Sequence, residues 1–312
     1  MSEIYLVFVV FLFVLAVFDL MVGVSNDAVN FLNSAIGAKV AKFRTIIIVA
    51  AVGVFMGATM SNGMMEVARN GVFHPAMFSL KELMFIFLAV MISDVILLDI
   101  FNNLGLPTST TVSLVFELLG GTTAFVLLKL ANDTTGLTVG DLMNTEKALG
   151  MIMAIFVSVA IAFFFGIVLQ YISRIVFTFT YKKNLKWKIG IFGGVATTAI
   201  FYFMLFKGIK SMSFVTPEIY EYIQNHTLTI LGICFLASTA IMQFLYFLKV
   251  NVFKILVLMG TFALAMAFAG NDLVNFIGVP LAGYSAYTDF AASGASDPST
   301  FMMSSLEGPA KS

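Results

Sequence analysis

Asn26-Asp27-Ala28-Val29-Asn30-Phe31 recurs near the other end of the chain as Asn271-Asp272-Leu273-Val274-Asn275-Phe276. Every position agrees except the third, and the shared Asn-Asp-x-x-Asn core is built from residues scarce in this sequence. Each copy follows a long apolar run and is followed by a glycine, Gly37 and Gly278. A short polar motif repeated at the ends of apolar runs points to a duplicated unit within a membrane. The composition around it agrees. The 312 residues are 60% hydrophobic and only 11% charged, against about 25% charged in soluble domains. Mean hydropathy is +1.00. With 34 Phe and 19 Met, such a surface cannot face water.

Several classes fall away at once. Lys+Arg and Asp+Glu each number 17, so no basic face exists for nucleic acid. The lone Cys234 excludes a disulfide framework, and His74 and His226 are too few for a His-based metal site. Phosphate-cradling P-loops, nucleophile elbows and zinc motifs are absent from the sequence, so the chain reads as no enzyme. The expected fold is an all-α, polytopic membrane helical bundle with inverted repeats and re-entrant or broken helices.

Stretches free of Lys and Arg mark about eight spans, at 4–24, 45–65, 83–104, 112–128, 148–173, 189–206, 227–248 and 255–270. Residues 1–24 have no basic start and no cleavage site before Asp19, so they read as a retained first span. Basic loops stay in the cytoplasm. Lys39, Lys42 and Arg44 mark one, Arg174, Lys182, Lys183, Lys186 and Lys188 a second, with Trp187 as interfacial anchor, and Lys249 and Lys254 a third. This charge map brings the chain to the first motif from outside and to the second from inside. Similar units of opposite orientation are a mark of secondary transporters. The expected organisation is a first inverted repeat over 1–130, connecting spans over 131–250, and the start of a second repeat over 251–312.

On a helix, Asn26, Asn30 and Asn33 share one face, as do Asn271 and Asn275. Their amide oxygens can ligate a cation and their NH2 groups can donate to an oxyanion. A second constellation reads Asn102-Asn103-Leu104-Gly105-Leu106-Pro107-Thr108-Ser109-Thr110-Thr111. Pro107 stops a helix, Gly105 permits a sharp turn, and Ser109 or a neighbouring Thr caps the helix that resumes near Val112. A helix start with Ser109, Thr110 and Thr111 beside it suits an anion. The charges inside the spans are all acidic: Asp19, Asp94, Asp99 and Glu117, with Asp27 and Asp272 at span ends. With no basic partner in the spans they call for protons or cations. An oxyanion carried together with Na+ or H+ resolves that charge balance, which makes Asp94, Asp99 and Glu117 candidates for coupling. Gly53 and Gly57 form a G-x-x-x-G pair that permits close helix approach.

At these motifs the sequence resembles the inorganic phosphate transporter (PiT) family. The correspondence runs over Val24–Asn30 and Ala269–Asn275 for the Asn-Asp motif and over Leu106–Thr111 for a Leu-Pro-x-Ser-Thr-Thr hairpin. It differs at Ser25, which stands where Gly or Ala is common, and at Val112, where many members carry a His. Phe116 and Glu117 replace small residues. The resemblance implies a multi-pass cell-membrane symporter that holds inorganic phosphate with Na+ or H+ between two repeats, without a bound cofactor. It implies Asp27, Asn30, Ser109, Thr110, Thr111, Asp272 and Asn275 as substrate and cation ligands, beside Asn26 and Asn271 from the amide stripes. The expected partners are phosphate, the coupling ion and the lipid bilayer, with no nucleic acid. Spacing places a second Ser-Thr-Thr hairpin beyond Ser312, so the second repeat is expected to be C-terminally incomplete, with a homodimer as another route to a closed site. A sulfate or other oxyanion permease of the same architecture, a membrane sensor or non-transporting fragment, and a channel are the alternatives.

Overall fold

The computed structural model describes residues 2–59, 67–132, 136–178, 185–208 and 217–308. Residues 60–65 of the second expected span, and Lys182 and Lys183 of the basic loop, lie outside them. Among the described residues the helices are α1 (Ser2–Gly37), α2 (Phe43–Thr59), α3 (Leu80–Leu104), α4 (Thr110–Ala131), α5 (Val139–Leu142) and α6 (Thr145–Phe177). They continue with α7 (Lys188–Gly208), α8 (Pro217–Asn225), α9 (Thr227–Phe247), α10 (Val252–Asn271) and α11 (Leu273–Ser293). Six helical stretches are long and apolar enough to cross a membrane, the last running over Val252–Ser293. Phe43–Thr59 and Lys188–Met204 are shorter apolar helices. Over the described residues each expected span overlaps a helix, and the two at 45–65 and 189–206 meet short ones.

The Ser, Ala, Gly and Pro content of residues 284–312 looks like a loop in composition, yet α11 continues to Ser293. The small residues are there for packing. Ala282 and Ala286 are buried, and a Cβ on Gly283 would press on Leu12. Small side chains at a crowded helix face look like a linker in composition alone.

The chain divides into two compact units. The first comprises residues 1–29, 62–157 and 271–312, so it draws on both ends of the sequence. Its core gathers Leu12, Phe73, Phe78, Leu83, Phe87, Met91, Leu114, Leu118, Val279 and Phe290. Within it α3 and α4 form a hairpin fixed at both ends. At the start of α3, Ser79 and Glu82 make a reciprocal capping box. Glu82 also pairs with Lys129 at 3.0 Å, and that ammonium lies over the Phe78 ring. At the far end Gly105 closes α3 with φ 67°, a left-handed conformation that glycine adopts without strain. Buried Arg69 donates to Ser285 Oγ and to the carbonyls of Ser305 and Gly308, which ties the 304–308 segment to α11.

The second unit comprises residues 30–61 and 158–270. Helices α7 and α9 lie side by side, with Gly193 against Met242 and Gly194 against Thr239. Helix α2 meets α10 at the G-x-x-x-G pair. A Cβ on Gly53 or Gly57 would collide with the carbonyl oxygens of Phe262 and Met266. The pair is therefore a packing device, as its spacing suggests. Gly57→Val is expected to destabilise the protein by about 2 kcal/mol or more, because backbone cannot yield as a side-chain tip can. Thermal unfolding in detergent measures this, and an unchanged midpoint would contradict the close approach. No residue in the most apolar stretch of α6 is buried, as lipid-facing helices require.

Candidate functional site

The site grows from the turn between α3 and α4. Pro107 follows the left-handed Gly105, so the chain leaves α3 and re-enters a helix only at Thr110. Ser109 is the N-cap, its hydroxyl accepting from the Val112 amide at 3.4 Å. The cap expected from the sequence is thus in place, and the first turn of α4 carries Thr110 and Thr111 with its N–H groups otherwise free of helix partners.

Asn26 holds this turn. Its Nδ2 donates to Asn102 Oδ1 (2.9 Å) and to the Leu106 carbonyl (3.0 Å), and its Oδ1 accepts from the Thr108 amide (2.9 Å). Asn102 in turn donates to the Val22 carbonyl at 2.8 Å. The side chain is buried and its amide is committed to backbone and Asn102. Here Asn26 positions the hairpin. Asn26→Ala would leave the Thr108 amide and Asn102 short of partners, a cost of about 2–6 kcal/mol at 1–3 kcal/mol per stranded group. Denaturant unfolding of the variant checks this, and an unchanged stability would remove the positioning role.

The hydroxyls meet the second motif directly. Thr111 Oγ1 donates to Asp272 Oδ1 at 2.8 Å and accepts from Asn275 Nδ2 at 2.9 Å. Asp272 lies at the break between α10 and α11 as the N-cap of α11, so two helix starts, those of α4 and α11, converge on this contact. Asn275 is buried, and among the described residues its Oδ1 is an acceptor with no donor. Asp27, 3% exposed, faces Thr110, and the charge of Asp272 acts on it. Gly23 lets the two motif copies touch, since a Cβ there would overlap the Phe276 ring. Asp27, Thr110, Thr111, Asp272 and Asn275 therefore share one buried neighbourhood in the first unit.

Other candidates lie elsewhere. Asn30 and Asn33 are exposed and belong to the second unit. The side chain of Asn271 lies outside the described residues. Asn271 ends α10 while Asn275 sits in α11, so the second pair does not share one continuous helix face as the spacing suggests. The first copy, by contrast, runs through unbroken α1. Asp99 is exposed and accepts from Asn103 at 3.1 Å. Asp94 is buried with its Oδ1 2.7 Å from Ser113 Oγ, and among the described residues no donor reaches either buried carboxyl oxygen of Glu117. Ser113 went unremarked in the sequence. Its signal was its place one helical turn beyond Ser109, on the face of α4 that meets α3.

Chemically, the neighbourhood offers hydroxyls and helix N–H groups for an oxyanion, and carboxylate and amide oxygens for a hard cation. Comparison with known proteins bears on that pairing. The Phosphate transporter family matches residues 23–306, nearly the whole chain. The chain belongs to the phosphate transporter family. Both Asn-Asp motifs and the hydroxyl hairpin lie inside the matched region. A solved structure, "The sodium-dependent phosphate transporter", superposes with a TM-score of 0.63 at 18% identity, covering 95% of this chain and 71% of that one. At that identity it shows a shared fold. No curated protein matches the sequence. For this family member the resemblance carried by three short motifs extends across the fold, and a transporter is what the family indicates.

Proposed function

We propose that this membrane protein imports inorganic phosphate across the cell membrane by symport with Na+ or H+. The observation that carries the reading is the Thr111–Asp272–Asn275 contact, in which the hydroxyl hairpin of one motif is bonded to the acid and amide of the other. Family membership supplies phosphate as cargo. Phosphate is received by the first-turn N–H groups of α4 and by the Ser109 hydroxyl, on a turn that the Asn26 clamp pre-positions, while Thr111 joins that turn to Asp272. Two acids beside an anion would repel it. Asp27 and Asp272 therefore take part only when a cation enters with the anion, and the orphan oxygen of Asn275 is a further ligand for it. Obligatory co-binding of anion and cation is what couples their movement.

The protein reconstituted in liposomes tests this. Radiolabelled phosphate should accumulate when a sodium or a proton gradient is imposed, and the gradient that drives it names the ion. Arsenate should compete and molybdate should not. Competition by sulfate and molybdate alone would instead establish the sulfate permease reading.

A further inference from the structure

The first unit buries a second group of acids that the cargo site does not use. Asp19 of α1 is 0% exposed and Asp94 of α3 is 1% exposed. Among the described residues no donor reaches either carboxyl oxygen of Asp19, or either of Glu117 on α4. Asp19 lies beside Asp94, and the charges of Asp94 and Glu117 both act on it. Asp94 likewise acts on Glu117. The other charged groups nearby are also acids. Asp27 comes from α1, and through it Asp272 from the start of α11. Among the described residues, Lys, Arg and His are missing from the groups that act on the three acids.

Two carboxyl groups buried side by side with no cation between them cannot both keep their charge at tolerable cost, so one of them carries a proton. Ser113 leads independently to the same conclusion. Its Oγ lies 2.7 Å from Asp94 Oδ1 and 3.0 Å from the Thr110 carbonyl oxygen. A hydroxyl has a single proton and cannot donate to two acceptors at full strength. Both contacts are made when Asp94 carries a proton and directs it to Ser113 Oγ, which then donates to the Thr110 carbonyl. A metal ion is the other way to neutralise buried acids. However, no three His, Cys, Asp or Glu among the described residues are disposed around a common ion.

We propose that Asp19, Asp94 and Glu117 form a proton-holding site inside the first unit, linked through Ser113 to the helix turn that carries Thr110 and Thr111. The inference rests on the symport reading for its use and deepens it, by saying where protons are held while phosphate and its cation occupy the neighbouring cluster. The link is short. Deprotonation of Asp94 draws the Ser113 proton away from the Thr110 carbonyl, which loosens the first turn of α4 where the cargo hydroxyls stand.

Infrared spectroscopy of the purified protein in lipid nanodiscs tests the proposal, because protonated carboxyls have a carbonyl band that carboxylates lack. The expected result is a protonated-carboxyl band at neutral pH that loses intensity in each of Asp19→Asn, Asp94→Asn and Glu117→Gln, and most of its intensity in the triple variant. The isosteric Asn and Gln replacements keep shape, and circular dichroism confirms that the helices persist. Absence of the band at neutral pH, or a band unchanged in all three variants, overturns the proposal. Loss of the band on adding sodium chloride, but not choline chloride, also overturns it, in favour of a sodium site. Phosphate binding measured on the same samples separates this claim from the one it rests on. Binding without the band sinks the proton site alone, and the band without binding sinks the phosphate reading alone.

Discussion

Asp272→Asn is expected to abolish gradient-driven phosphate uptake while leaving the protein folded and inserted. Asparagine keeps an oxygen where Thr111 now donates at 2.8 Å, so the contact between hairpin and motif survives the change. What disappears is the charge. Removing one charge from a buried, mutually dependent set costs about 3–5 kcal/mol, which corresponds to roughly a hundredfold or more in affinity. The cation then has one acid fewer to meet, and the anion loses the cation it needs. Asp27→Asn should behave in the same way, because Asp27 is buried against the same charge. Uptake at wild-type rates in either variant would show that these acids are structural.

Thr111→Val is expected to have the next largest effect. Thr111 bonds both Asp272 and Asn275, donating to the first and accepting from the second. Valine matches its shape and has no hydroxyl. A hydrogen bond to a charged group contributes about 1.5–3 kcal/mol, so phosphate affinity should fall roughly tenfold or more. Ser109→Ala should do less. Its capping bond is long at 3.4 Å and the residue is exposed, so it resembles a helix cap worth about 1 kcal/mol. Equilibrium binding of radiolabelled phosphate ranks the two variants. A larger loss in Ser109→Ala than in Thr111→Val would reverse their roles.

How far these roles could be read in the sequence depends on what carried each signal. The spans were legible because apolar runs of about 20 residues have few other uses. The hairpin was legible because Gly105, Pro107 and Ser109 each act locally, through backbone freedom, ring closure and capping. The meeting of hairpin and second motif could only be anticipated as a family trait, since Thr111 and Asp272 are distant in sequence. Asn26 shows the limit most clearly. Its pattern suits a ligand and a clamp equally well, and only the bonds to Asn102, Leu106 and Thr108 reveal the clamp. Asp99 shows the converse. An acid in an apolar run reads as buried, but its position on α3 turns it outward while Asp94, more than one turn earlier, turns in. The small residues of α11 mislead for a related reason, because composition does not report which face is crowded.

The central claim is that phosphate and a cation bind together at Asp27, Thr111, Asp272 and Asn275. Equilibrium binding of radiolabelled phosphate to the purified protein, titrated with sodium at fixed pH and with acid at fixed sodium, tests it most directly. The account predicts that phosphate affinity rises with one of the two cations in the wild-type protein and that Asp272→Asn erases that rise. Phosphate binding of equal strength at every sodium concentration and every pH, after allowing for the titration of phosphate itself, would contradict it.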